Sequence, residues 1–110
     1  MNTRIDKAVL RALERAERFT ASHPLVKDWS NDAEDQYGCY VAENSKQARC
    51  WCITGGFWKV NGTAPGHNGL ALEVLCLAAG NHRFTKRWTR PQIAELYKRA
   101  RRLAAKMVID

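Results

Sequence analysis

Cys50-Trp51-Cys52-Ile53-Thr54-Gly55-Gly56-Phe57-Trp58 is the stretch on which the fold turns. It lies between Ser45, a residue type suited to start a helix, and Asn61-Gly62, a pair suited to stop one. That framing predicts a helix over Lys46 to Val60. Each glycine inside a helix costs about 1 kcal/mol relative to alanine. Two of them in so apolar a run predict that another backbone passes close by. Trp51 and Trp58 beside small residues predict a surface that packs large groups into small ones.

Three more helices follow from the flanking sequence. Before the central stretch, Ile5, Val9, Ala12, Leu13, Ala16 and Phe19 recur at helical period. Thr3 with Asp6 supplies a start signal, and His23-Pro24 an end, because a residue before proline avoids the helical region. On the outer face, Arg11 to Glu14 and Glu14 to Arg18 have the spacing of ion pairs. After the Pro65-Gly66 turn, Leu70 to Ala79 reads as a buried third helix ended by Gly80. Thr89-Arg90-Pro91-Gln92 is a capping box with proline in the first turn. From it Ile93, Leu96, Tyr97, Ala100, Leu103, Ala104 and Met107 form the inner stripe of a fourth helix. The expected fold is therefore all-α. It is one compact four-helix domain over residues 1–110, with an irregular aromatic and acidic loop between helices one and two. In that loop Trp29, Tyr37 and Tyr40 are expected to anchor against the core, Gly38 permits a turn, and Cys39 to Ala42 admits a short strand.

The 110 residues suit one domain with one core. A hydrophobic content of 45% is too high for a disordered chain. The apolar run at Leu70 to Ala79 is interrupted by Glu73 and is too short to span a bilayer, so no membrane partner is expected. Arg4, Asp6 and Lys7 precede any apolar run, which argues against a secretory leader and for a cytoplasmic location with reduced thiols. The sequon Asn61-Gly62-Thr63 then carries no meaning.

Charge is distributed in blocks. Residues 22–45 hold one lysine against five acids, whereas residues 81–110 hold nine Lys/Arg against two, Glu95 and Asp110. The latter segment alone accounts for the net +7 of the whole protein. Arg83, Lys86, Arg87 and Arg90 precede the fourth helix, with Phe84 and Trp88 interleaved. Lys98, Arg99, Arg102 and Lys106 fall on its outer face, with Arg101 on the flank. One-signed charge attracts polyanions, and arginine suits paired contacts to phosphate. The two aromatics suit stacking on bases, or equally docking of the loop to the core. A helix-turn-helix is excluded, because the helical pattern runs unbroken to Met107 where that motif requires a turn.

No catalytic or metal-binding set emerges. Cys39, Cys50, Cys52 and Cys76 offer one C-x-C and no second ligand pair, and Cys52 and Cys76 lie in apolar stretches as small hydrophobes would. His67 and His82 fall in loops without spacing that demands a nucleophile–base pair. Asp28, Asp32, Glu34 and Asp35 do not match a calcium loop and read as a solvated acidic segment, as one drawn weakly to the basic helix, or as a contact patch for a basic partner.

Arg49 through Gly55, centred on Trp51-Cys52-Ile53-Thr54-Gly55, resembles an uncharacterised bacterial and phage family of small helical domains. That family carries a Trp-Cys-x-x-Gly-Ala motif on a central helix. Arg87-Trp88 followed by Gln92-Ile93 and Leu96 is similar to the family's closing segment, and Trp29 to Asn44 to its variable loop. The resemblance covers about residues 25 to 103. Gly56 departs from the usual alanine, and Trp88 lacks the acidic residue that commonly follows. The resemblance implies a helical fold and a phage or mobile-element setting, and carries over no functional residue.

The expected function is that of a small non-catalytic binding protein, without cofactor. Its basic C-terminal helix would engage nucleic acid or a nucleic-acid-handling complex, as a host-defence inhibitor such as an anti-CRISPR protein does. The alternative is a protein-interaction or homo-oligomerisation module that docks through the Trp29, Tyr37 and Tyr40 loop. A cysteine- or metal-dependent enzyme is the third reading.

Overall fold

Helix α1 (Lys7–Ser22) turns its predicted stripe inward, with Val9, Ala12, Leu13 and Ala16 buried to completion. These coordinates come from a computed structural model that describes residues 7–62, 67–80 and 82–107. The start signal at Thr3 and Asp6, the first stripe residue Ile5 and the Pro65-Gly66 turn lie outside the described residues. Phe19 is half-buried, stacked on His23 at 3.9 Å and edge-on to Trp51 at 4.9 Å between ring centroids. The expected Arg11–Glu14 and Glu14–Arg18 pairs are not formed; among the described residues the ion pair is Arg101 with Glu17.

The loop that follows is more ordered than its composition suggests, and it corrects the all-α expectation. Three two-residue strands, β1 (Ala33–Glu34), β2 (Tyr40–Val41) and β3 (Cys50–Trp51), form an antiparallel sheet in the order β2-β1-β3. The hairpin between β1 and β2 closes on Gly38 at φ +82°, a conformation that favours glycine. Asp35 Oδ1 accepts the N–H groups of Tyr37 and Cys39 across the same turn, at 2.8 and 3.0 Å. The strand expected at Cys39 to Ala42 is thus present as β2. Trp29 anchors the loop as expected. Tyr37 and Tyr40, 81% and 61% exposed, do not.

Glu34 is the unexpected element of this region. It is 1% exposed, although it was read as part of a solvated acidic run. Its carboxylate accepts from Lys27 N at 2.9 Å, Asp28 N at 3.1 Å and Asn31 Nδ2 at 2.9 Å, with the Cys50 thiol at 3.7 Å. Burial pushes the carboxyl up, but these donors together outweigh it and hold the group below its ordinary value.

The second helix starts later than predicted. Ser45 opens a turn, with Ala48 N donating to Ser45 O at 3.1 Å, and not a helix. Arg49 N donates to Glu34 O at 2.8 Å and Trp51 N to Pro24 O at 3.1 Å, which commits residues 49–51 to strand pairing. Helix α2 (Ile53–Asn61) begins only after Cys52, whose sulfur accepts from Gly55 N at 3.2 Å as the cap. Gly62, at φ +77°, ends it as expected, donating its N–H to Trp58 O. The predicted close approach of another backbone is found at Gly55 and not at Gly56. A Cβ on Gly55 would overlap the Asp32 carbonyl, the same oxygen that accepts from Cys52 N at 3.1 Å; one on Gly56 would meet only the Thr20 and Phe19 side chains.

Helix α3 (His67–Ala79) is followed by α4 (Arg90–Met107). The expectation of a buried third helix holds on one face only. Ala71, Val74, Leu75 and Ala79 face the core, while Leu77 is 63% exposed and Cys76 lies on the surface. Helix α1 packs against α2, α3 and α4, and α3 also against α4. The result is a mostly helical fold with a small sheet at one side.

Two stability measurements check this account. Gly55→Ala should lower stability by about 1–3 kcal/mol or more through overpacking against backbone, whereas Gly56→Ala should cost clearly less. Equal losses in thermal unfolding would show that the Asp32 approach is not the constraint. For Glu34 the folded value is depressed, so its contribution is complete above the unfolded carboxylate value of about 4.3 and fades as pH falls through the folded value. Glu34→Gln should destabilise at neutral pH by about 1–3 kcal/mol and flatten the acid limb of a pH–stability profile.

Candidate functional site

Helix α4 is built as its sequence prescribes. Thr89 N donates to Gln92 Oε1 at 2.9 Å and Gln92 N to Thr89 Oγ1 at 3.3 Å, a reciprocal capping box. Ile93, Leu96, Tyr97, Ala100 and Ala104 are buried and Leu103 is half-buried; the Met107 side chain lies outside the described residues. Tyr97 is the largest fully buried side chain. With that stripe turned inward, Lys98, Arg99, Arg102 and Lys106 are all exposed.

Two of the nine predicted cations are engaged inside the protein. Arg90 Nη1 donates to Thr20 O at 2.8 Å and Ala21 O at 3.3 Å, and Nη2 to His23 O at 2.7 Å. It thereby caps the C-terminus of α1, whose own last turn holds no basic residue. Arg101 meets both oxygens of Glu17, Nε at 2.9 Å and Nη2 at 3.2 Å. These contacts take Arg90 and Arg101 out of the binding set.

The connection from α3 to α4 folds into a wall beside the helix. Gly80, at φ +64°, ends α3, and His82 N reaches back to Ala79 O at 3.2 Å. Lys86 N donates to Arg83 O at 3.3 Å, and the same carbonyl accepts from Trp88 Nε1 at 3.0 Å. Trp88 is only 7% exposed, with Phe84 and His82 rings at 5.7 and 5.9 Å. Of its two expected roles Trp88 fills the docking one, and the half-buried Phe84 leans on it.

Between this wall and the first turns of α4 lies an open cleft of about 490 Å³. Arg83, Lys86, Arg87 and Arg99 supply its charge, and none of them has a partner among the described residues. Arg102 and Lys106 continue the stripe that Arg99 begins, at helical spacings of three and seven. Lys98 flanks it. Four further lining residues, His82, Pro91, Gln92 and Glu95, lie outside the predicted set, and Gln92 and Glu95 are the two with polar side chains on the helix face. Their spacing of three and seven from Gln92 to Glu95 and Arg99 was the available signal, since it puts all three on one face of the helix.

The other candidate residues do not assemble into a site. All four cysteines are free. Burial raises the Cys50 thiol, with the Glu34 carboxylate adding to it, and burial likewise raises Cys52, so neither is disposed to ionise. Contrary to expectation, Cys76 is a surface residue. Three carboxylates of the acidic loop accept from its own backbone: Asp28 from Ser30, Asp35 from the hairpin, and Glu34 from Lys27 and Asp28. Among the described residues no group of three or more His, Cys, Asp or Glu side chains is placed to hold a metal ion. Nor is any helix there long and apolar enough to cross a membrane.

The division between internal and available arginines is directly testable. Arg90→Ala should lower stability by about 1–2 kcal/mol, because it strands carbonyls at the end of α1. Arg87→Ala should change it by less than about 0.5 kcal/mol. Thermal unfolding followed by circular dichroism distinguishes the two, and equal effects would remove the capping role. Comparison with family models, curated proteins and solved structures found no match, so the likeness to the Trp-Cys-x-x-Gly-Ala family gains no support there.

Proposed function

We propose that this is a non-catalytic cytoplasmic protein that holds the phosphate backbone of nucleic acid on its basic end. The observation that supports the reading most is the cleft: Arg83, Lys86, Arg87 and Arg99 line one concavity and have no partner among the described residues. An ordinary amphipathic helix also leaves cations in water, but on a convex face. Here the docked loop adds a second charged wall, so several cations converge on one bound chain and release its counterions together. The groups that line the cleft are chiefly cations, and they suit contact with a phosphate backbone.

Contact with a nucleic-acid-handling complex, as by a phage-encoded inhibitor of host defence, would draw on the same cations. Small size and charge asymmetry support that setting. The second reading, a protein-interaction surface, rests on Tyr37 and Tyr40, which project from the hairpin while Trp29 is buried beneath it.

Binding to DNA or RNA should weaken steeply with salt. Converting Arg83, Arg87 and Arg99 together to glutamine should reduce the slope of log K against log salt by about 2, at roughly 0.7–0.9 per lost phosphate contact. Thermal unfolding should stay as in the parent protein. Affinity at about 50 mM salt that survives the triple substitution would overturn the assignment.

A further inference from the structure

The cleft contains a group that a pure phosphate site would exclude. Glu95 lines it together with four cations, yet it forms no ion pair with any of them. A carboxylate there repels phosphate and accepts only from N–H or O–H donors. Gln92, one helical turn before it, is fixed by the capping box: its Oε1 takes Thr89 N at 2.9 Å. That leaves the Gln92 Nε2 amino group with no partner among the described residues. The two side chains lining the same cleft thus offer one acceptor and one donor. This is the complement of the hydrogen-bonding edge of a nucleobase, which presents N–H groups beside ring-nitrogen or carbonyl acceptors.

The dimensions agree. A volume of about 490 Å³ is that of a pocket for a small molecule. Along α4, Arg99 to Lys106 spans about 10 Å of cation-bearing helix leading away from the cleft. In a duplex the pairing edges of the bases are already occupied and stacked inward, out of reach of a pocket of this kind. An unpaired base has no such restriction, and its neighbouring phosphates would fall on the charged rim.

We infer that the Gln92–Glu95 cleft seats one unpaired base, and that the protein therefore prefers single-stranded nucleic acid over duplex. This inference rests on the proposed nucleic-acid binding and specifies its substrate. Glu95 reads the N–H groups of the base, Gln92 its acceptor, and the surrounding cations hold the backbone on either side.

Fluorescence anisotropy with a labelled single-stranded DNA of about 12 nucleotides, and with its duplex, tests the inference at one salt concentration. The single strand should bind at least about tenfold more tightly. Glu95→Ala should narrow that ratio severalfold, even though loss of a negative charge strengthens attraction for both probes. Taking the ratio cancels the common electrostatic gain. Arg87→Gln, as a control, should weaken both probes together. Equal affinity for the two forms, or a ratio that Glu95→Ala leaves unchanged, overturns the base-binding role and leaves backbone binding standing. Failure of both probes to bind overturns the two proposals together. Glu95 is exposed, so its replacement is tolerated by the fold, and an unfolding scan on the same sample confirms this.

Discussion

A carboxylate removed from water has to be given donors or it will not stay charged. Glu34 meets that requirement with two backbone N–H groups, one side-chain amide and a thiol, all drawn from residues that would otherwise be a formless polar loop. Satisfying it bends residues 27–31 around β1 and makes β1 the central strand. Once β1 is central, both of its edges must be paired. One edge takes the hairpin partner β2, and the other takes β3, which pulls Arg49 to Trp51 into extended conformation. That in turn fixes where α2 can begin. The Asp32 carbonyl, one position before β1, then lies against the first turn of α2, where only a glycine leaves room for it.

This chain of dependence explains what could and could not be read from the residues. Helices α1 and α4 were legible because a local pattern decides them: an apolar stripe at one period, and for α4 a capping box that forms both of its hydrogen bonds. Gly55 was legible as a close approach of backbone, since so costly a residue in a helix points to packing; Gly56 meets only side chains. The start of α2 was not. Ser45 is a good cap by type, but its competitor was a strand pairing with Glu34, sixteen residues before Cys50, and such pairing leaves no periodic trace in two-residue strands. Cys52 as the actual cap follows no common preference. Glu34 was equally hidden, because a buried glutamate and a solvated one look alike until its donors are in place.

The candidate site shows the same division. Which cations are exposed on α4 followed from its apolar stripe, and the structure agrees for Lys98, Arg99, Arg102 and Lys106. Which are already engaged did not follow. Arg90 and Arg101 reach across to α1, and their partners, a helix end and Glu17, lie seventy and eighty-four positions away. Both contacts tie α4 to α1, so part of the positive charge holds in place the helix that displays the rest.

Charge of the two signs is used in opposite ways along this chain. The acidic segment turns its carboxylates toward its own N–H groups, which orders a polar loop that has little core of its own. Apart from Arg90 and Arg101, the basic segment keeps its cations outward, and what gives them a direction is a hydrophobic contact. Trp88 docks the α3–α4 connection beside α4 by burying its indole ring and donating to Arg83 O. That single anchor converts an exposed helix face, where cations would point apart, into a cleft where Arg83, Lys86 and Arg87 oppose Arg99. Convergence matters more than the number of charges, because a bound chain gains from several cations only if they reach it at once.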